Sequence, residues 1–182
     1  MLLTRTKYFQ KLKALQQAHQ DKFTHVELHS FYTIAINYCI RRLNQDEQEY
    51  WQEVFEIYKS GLEVDVFFDN GLLSPRTYSN IVLSGLRLKN YEWVESFIHQ
   101  YKTRIPQPYQ EGFFNYNLAR FYYQKKDYQK AMPLLMQMEF TDVLNNCTAK
   151  TLLAKMYFEL EEFDSLSNLL QSFRIYVHRK KQ

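Results

Sequence analysis

The sequence predicts an all-α chain: antiparallel helix pairs, about nine helices in all, stacked one on another as an α-solenoid. Three observations carry this. Apolar residues recur at helical spacing along nearly the whole chain. Glycine and proline number only 4 each in 182 residues, too few to turn many short strands. A helix–turn–helix outline also recurs, with its turn at Asn90, at Asp127 and at Glu162. A period of about 34 residues marks a stack of helical hairpins, because each hairpin can bury its apolar face only against its neighbours.

The elements follow in order. Residues 5 to about 20 read as a helix with Tyr8, Leu12 and Leu15 on one side. The chain breaks at Asp21 to Thr24, and Thr24 caps the next helix with Glu27 as its capping-box partner. That helix runs to about Leu43 with Phe31, Ile34, Ala35, Tyr38 and Cys39 as its buried stripe. Asn44 ends it and Asp46 caps the next, in which Tyr50, Trp51, Val54, Ile57 and Tyr58 repeat up to Gly61, a C′ glycine. Leu62 to Leu73 is irregular: Val64, Val66, Phe67 and Phe68 are apolar, Asp69-Asn70-Gly71 is a turn signal, and helix, loop and strand all remain open there. Ser74-Pro75 opens the next helix, a capping serine followed by proline in the first position. Helices 75–88 and 91–103 pair across Lys89-Asn90. The loop Ile105-Pro106-Gln107-Pro108 leads to helices 111–124 and 128–139, with Pro133 inside the second, where it should bend the helix or loosen its first turns. Asn145-Asn146 starts the last pair, 147–160 and 163–177. One domain over 1–182 is the economical reading, with 1–73 as N-terminal helices and connector and 74–178 as three hairpins.

Composition narrows the function. Aromatic residues make up 17%, mostly Tyr and Phe, and serve first as knobs between stacked helices. A net charge of +3 is well short of the density of a dedicated nucleic-acid binder. The basic clusters, Arg5, Lys7, Lys11, Lys13 and His178, Arg179, Lys180, Lys181, read as solvated ends. Cys39 and Cys147 match no metal or redox spacing and fit a reducing compartment. No apolar run approaches the roughly 20 residues that span a bilayer, and the first residues do not read as a signal peptide. A cytoplasmic location is expected.

The three C-terminal hairpins resemble tetratricopeptide repeats. Leu118, Ala119, Tyr122, Ala131, Leu135 and Met138 fill that family's slots. Leu153, Ala154, Tyr157, Leu166, Leu170 and Phe173 follow with Leu166 in place of a small residue. Ile81, Val82, Gly85, Val94, Ile98, Tyr101 and Pro106 follow with the small residue moved to Gly85. The chain also resembles the C-terminal parts of larger bacterial helical-repeat proteins. The resemblance implies a right-handed superhelix whose concave side, lined by the first helix of each pair, takes an extended peptide or a partner helix. It also leaves open that the chain is a docking or regulatory part of a longer array.

On that register the groove residues are Arg76, Asn80, Leu83 and Arg87, then Tyr116, Asn117, Arg120, Tyr123 and Gln124, then Thr151, Lys155 and Phe158. Their basic, aromatic character favours an acidic or C-terminal carboxylate peptide. The paired Lys/Asn and Lys/Arg clamp of the family's chaperone-binding members has no counterpart here. His25 and His29 could share a helix face, but Glu27 between them does not make the zinc-protease motif. There is no phosphate-cradling glycine loop, no Gly-x-Ser-x-Gly and no Cys/His nucleophile pair. Neither catalysis, metal nor cofactor is expected. The leading expectation is a non-catalytic protein–protein interaction scaffold. Its rivals are an RNA-binding helical-repeat protein and a docking fragment of a larger protein. The last helix, carrying Leu169, Leu170, Phe173 and Tyr176 with no polar helix to cover it, should expose an apolar strip, to be covered by a further segment or by self-association.

Overall fold

A computed structural model describes residues 9–11, 13–14, 18, 22–136, 138 and 143–179. The expected helix over 5–20 is helical at residues 9–11, 13–14 and 18. Tyr8, Leu12 and Leu15, the basic residues Arg5, Lys7, Lys180 and Lys181, and Asp21 lie outside the described residues. The protein is predominantly α-helical. Eight α-helices have their bounds among the described residues: α1 (His25–Leu43), α2 (Tyr50–Glu63), α3 (Pro75–Arg87), α4 (Tyr91–Gln100), α5 (Gln107–Gln124), α6 (Tyr128–Met136), α7 (Val143–Glu159) and α8 (Phe163–Arg179). Two strands of two residues each, β1 (Phe68–Asp69) and β2 (Leu72–Leu73), flank Asn70-Gly71. Both turn residues have positive φ, 49° and 78°, as a type I′ turn requires. None of the helices is long and apolar enough to cross a membrane among the described residues.

The chain divides into two compact units, one ending at Asn70 and the other beginning at Gly71. In the first unit α1 packs on α2. Its start is the expected capping box: the Thr24 side chain accepts the Glu27 N–H, and the Glu27 carboxylate accepts the Thr24 N–H at 2.8 Å. The buried stripe of α1 differs from the expected one. Tyr32, Ala35, Ile36 and Cys39 face inward, Phe31 and Tyr38 are half-buried, and Ile34 is 62% exposed. The i, i+3, i+4, i+7 set beginning at Tyr32 takes the apolar face, rotated away from Ile34. Phe67 meets Tyr32 edge-on and Tyr58 at a tilt, both with ring centroids 5.7 Å apart. That ring explains Gly61, which does not end α2. A Cβ there would lie 2.3 Å from Phe67 Cε2, so the glycine makes room for the ring.

In the second unit consecutive helices pack in hairpins, and alternate helices also touch: α3 against α5, and α5 against α7. Ser74 caps α3 by accepting the Thr77 N–H at 3.1 Å, with Pro75 in the first turn. The Tyr78 hydroxyl, fully buried, donates to the Ile98 carbonyl at 2.9 Å and pins α3 to α4. Gln107 and Pro108, expected in a loop, belong to α5, because its first turn has no use for the missing proline N–H. Helix α6 is continuous through Pro133 up to Met136, and positions 137 and 139 lie outside the described residues. Asn145 and Asn146 fall inside α7 instead of opening it. Ala119, Ala131, Leu135, Ala149, Leu153, Met156 and Tyr157 form one buried cluster. The two fully buried alanines let α5 and α6 approach closely.

Among the described residues five helix ends share one backbone device. After α1, α2, α3, α5 and α7 a residue takes left-handed φ: Asp46 (65°), Asp65 (54°), Lys89 (57°), Lys126 (60°) and Glu161 (59°). The next N–H reaches back five residues: Glu47 to Arg42, Val66 to Gly61, Asn90 to Gly85, Asp127 to Tyr122 and Glu162 to Tyr157, at 2.9–3.3 Å. This satisfies carbonyls that a helix end otherwise leaves orphaned. Asn44 is the C-cap of α1 as expected, while Asp46 belongs to the turn beyond it and does not cap α2, whose N-terminus has no side-chain cap.

No glycine serves at these five positions, so each carries a steric cost of about 1–2 kcal/mol. Lys89 is exposed and gives the cleanest test. Replacing it with valine should lower the unfolding free energy by about 1–2 kcal/mol, and glycine should raise it by up to about 1 kcal/mol. Chemical denaturation checks this; at an ordinary surface site both changes would stay within about 0.5 kcal/mol.

Candidate functional site

The second unit holds a cavity of about 360 Å³ walled by α3, α5 and α7. Each helix contributes a stripe at helical spacing: Leu83, Leu86 and Arg87 from α3, Tyr116, Arg120, Tyr123 and Gln124 from α5, and Cys147, Thr148, Thr151, Leu152 and Lys155 from α7. Arg87, Arg120 and Lys155 bring three cationic side chains to the wall, and none of its residues is acidic.

Arg120 is the most constrained of them. It is partly buried. Its Nη1 donates to the Ser79 carbonyl at 3.3 Å and to Asn117 Oδ1 at 3.2 Å. The guanidinium lies over the Tyr116 ring, 5.4 Å from its centroid. Among the described residues no carboxylate pairs with Arg120. Burial of the charged end holds its pKa below the ordinary arginine value, and the Arg87 charge pushes the same way. Burial likewise raises the Tyr116 phenol, against the opposing charge of Arg120. The cation is thus kept in place by neutral dipoles and a ring face.

The sequence register placed the groove residues unevenly. Leu83, Arg87, Tyr116, Arg120, Tyr123, Gln124, Thr151 and Lys155 come together at the cavity, whereas Arg76, Asn80 and Phe158 are not among its walls. Arg76 and Asn80 are exposed. Phe158 is 64% exposed and meets Phe163 edge-on. Asn117 is fully buried and cannot face a ligand. Its Nδ2 donates to the Ser79 hydroxyl at 2.9 Å and to the Phe113 carbonyl at 2.8 Å, which turns Oδ1 toward Arg120. Ser79, Cys147 and Thr148 escaped the sequence reading. Cys147 and Thr148 precede Thr151 and Lys155 at helical spacing, a signal already present inside the expected helix 147–160.

Tyr123 has a second role at the edge of the cavity. Its hydroxyl donates to Glu159 Oε1 at 2.5 Å, while Lys126 donates to Oε2 at 2.7 Å and the Tyr128 hydroxyl donates to the same oxygen. The turn between α5 and α6 is thereby fastened to the C-terminal end of α7. Hydrogen bonds from Lys126, Tyr123 and Tyr128 hold the Glu159 carboxyl down at about 2. The same contacts push the Lys126 ammonium up, and burial with the Glu159 bond pushes the Tyr123 phenol up to about 12.

Other candidates are more weakly built. Among the described residues no three metal-ligating side chains converge, and His25 Nε2 sits 3.4 Å from the Asp65 carbonyl oxygen. Cys39 is buried, and burial raises its thiol to about 12, away from reactivity. Helix α8 buries none of its residues. Of the strip expected there, Leu170 is 51% exposed, Leu169 and Phe173 are half-buried, and the Tyr176 hydroxyl accepts from Asn146 Nδ2 at 3.1 Å. No protein-family model, curated protein or solved structure matches the chain.

The Glu159 contacts carry a pH signature. A carboxyl with a lowered folded-state constant stabilises the fold above its unfolded value, here about 4.5, and loses that contribution as pH falls toward about 2. The melting temperature of the Glu159→Gln variant should therefore sit below wild type at pH 7, and the gap should close between pH 4.5 and pH 2. Thermal melts of both proteins across that range make the comparison, and a gap that stays constant with pH would contradict it.

Proposed function

We infer that the second unit is a non-catalytic protein-interaction scaffold of tetratricopeptide type, with hairpins stacked as a right-handed solenoid. In this reading an extended peptide or partner helix lies across the wall of α3, α5 and α7. One observation carries it: three alternate helices aim aligned stripes at one cavity that joins cationic, aromatic and aliphatic side chains without an acidic residue. A convex or mixed-charge surface would offer no such selection. Alternate helices that touch, and turns of one geometry at Lys89, Lys126 and Glu161, support the repeat register on which the reading depends. The cationic wall points to an acidic partner, and the two free cysteines suit a reducing, cytoplasmic setting.

The test is selection from a random peptide library, followed by affinity measurement on a variant carrying Arg87→Glu and Lys155→Glu together. Selected peptides should lose at least tenfold in affinity on that variant, about 1.4 kcal/mol. Equal affinity on both proteins would remove the groove as the working surface. Single-stranded RNA that binds at low salt and displaces the peptides would replace this reading with a nucleic-acid one.

A further inference from the structure

The geometry points to a dedicated carboxylate subsite at Arg120, which receives one acidic side chain of a peptide crossing the cavity. This deepens the scaffold reading and rests on it for the identity of the ligand as a peptide.

The orientation of the guanidinium is the main argument. Nη1 is fully used, since its two hydrogens go to the Ser79 carbonyl and Asn117 Oδ1. Among the described residues neither Nε nor Nη2 makes a hydrogen bond, and neither is a fully buried atom left without a partner, so both keep access to solvent. These two atoms form the side edge of the fork, whose parallel N–H groups match the two oxygens of a carboxylate. Asn117 fixes which edge stays open. Both hydrogens of its Nδ2 are committed, to Ser79 Oγ and the Phe113 carbonyl, so the amide cannot flip without setting an NH₂ group against Nη1. The Tyr116 ring supports one face of the guanidinium. Asn117 and Tyr116 are thus positioning residues.

Charge gives the second argument. A partly buried guanidinium without a counter-ion is costly to hold in a folded chain. Arg87 on the same wall adds to the cost, since its charge disfavours that of Arg120. A carboxylate entering the cavity would relieve both. The source of that carboxylate also follows. Arg87 and Lys155 line the same wall, so the positive charge extends beyond a single point, which suits consecutive acidic side chains better than a lone chain end.

The test follows the arginine Nε–H resonances of ¹⁵N-labelled protein by NMR. Acetyl-triglutamyl amide is titrated at constant ionic strength. Acetyl-triglutaminyl amide, the same triglutamine with a free C-terminus, and inorganic phosphate serve as separate arms. The resonance missing from Arg120→Gln identifies Arg120. It should shift and saturate with the glutamate peptide and stay in place with the neutral one. Affinity for the glutamate peptide should fall about tenfold or more in Arg120→Gln. Arg120→Lys keeps the charge without the fork and should lose most of the same factor. Should Arg120→Gln fail to fold by circular dichroism, Arg120→Lys and the wild-type titration decide. Equal or stronger saturation by the free C-terminus or by phosphate overturns the proposal, as does unchanged affinity in Arg120→Lys. Library peptides that bind with no change at the Arg120 resonance would sink the subsite and leave the scaffold. A saturating Arg120 shift with no library peptide bound would keep the subsite and sink the scaffold.

Discussion

A helix that must reverse direction has to dispose of its last carbonyl groups, and among the described residues that requirement is met in one way five times. The chain takes one residue through the left-handed region and bonds the following N–H back to a carbonyl five residues earlier. Glycine is the usual occupant of that position, yet Asp, Lys and Glu occupy it here, and the cost must be repaid by what the turn positions. In the second unit it positions a great deal. The turns after α3, α5 and α7 send α4, α6 and α8 back alongside them. That leaves α3, α5 and α7 in contact by alternation, and their side chains can share a wall.

Packing then narrows what the turns allow. Ala119 and Ala131 are both fully buried in the cluster joining α5 to α7, and larger side chains there would force the helices apart at a cost of about 1–3 kcal/mol. The Tyr78–Ile98 bond does for α3 and α4 what the alanines do for α5 and α6, because a buried hydroxyl tolerates no position but the one that satisfies it. Glu159 completes the arrangement from outside by drawing Tyr123, Lys126 and Tyr128 to one carboxylate. A wall residue, a turn residue and the start of the next helix are held by one group. The position of Tyr123 at the cavity therefore depends on a contact formed at the surface.

What the sequence reveals divides along physical lines. Local signals were readable: the Thr24 capping box, the Ser74-Pro75 start and the turns at Lys89-Asn90 and Lys126-Asp127 each depend on a few adjacent residues. Signals that depend on a distant neighbour misled. Gly61 looks like a terminator until the Phe67 ring is seen against it. Ile34 looks like core until Tyr32 and Ile36 are found facing inward. The same division runs through the cavity. Periodicity placed Arg87, Arg120 and Lys155 on one wall. It does not distinguish a polar residue that faces a ligand from one that orients its neighbour: Asn117, expected in the groove, is fully buried. Glu159 went unnoticed because Tyr123, Lys126 and Tyr128 approach it from more than 30 residues away.

Arg120 differs from the other buried polar groups in what its surroundings achieve. Asn117 and the Tyr78 hydroxyl are satisfied internally, so their burial costs little and fixes a conformation. The surroundings of Arg120 satisfy one nitrogen, support one ring face and leave one edge unmet. If stability alone governed the position, an apolar side chain of similar volume would serve better than a cation held by neutral dipoles. A carboxylate within the fold would also serve better, and the wall contains none. The arrangement holds a cation on the cavity wall with one nitrogen bonded and one face stacked, and that is the geometry on which the proposed carboxylate subsite rests.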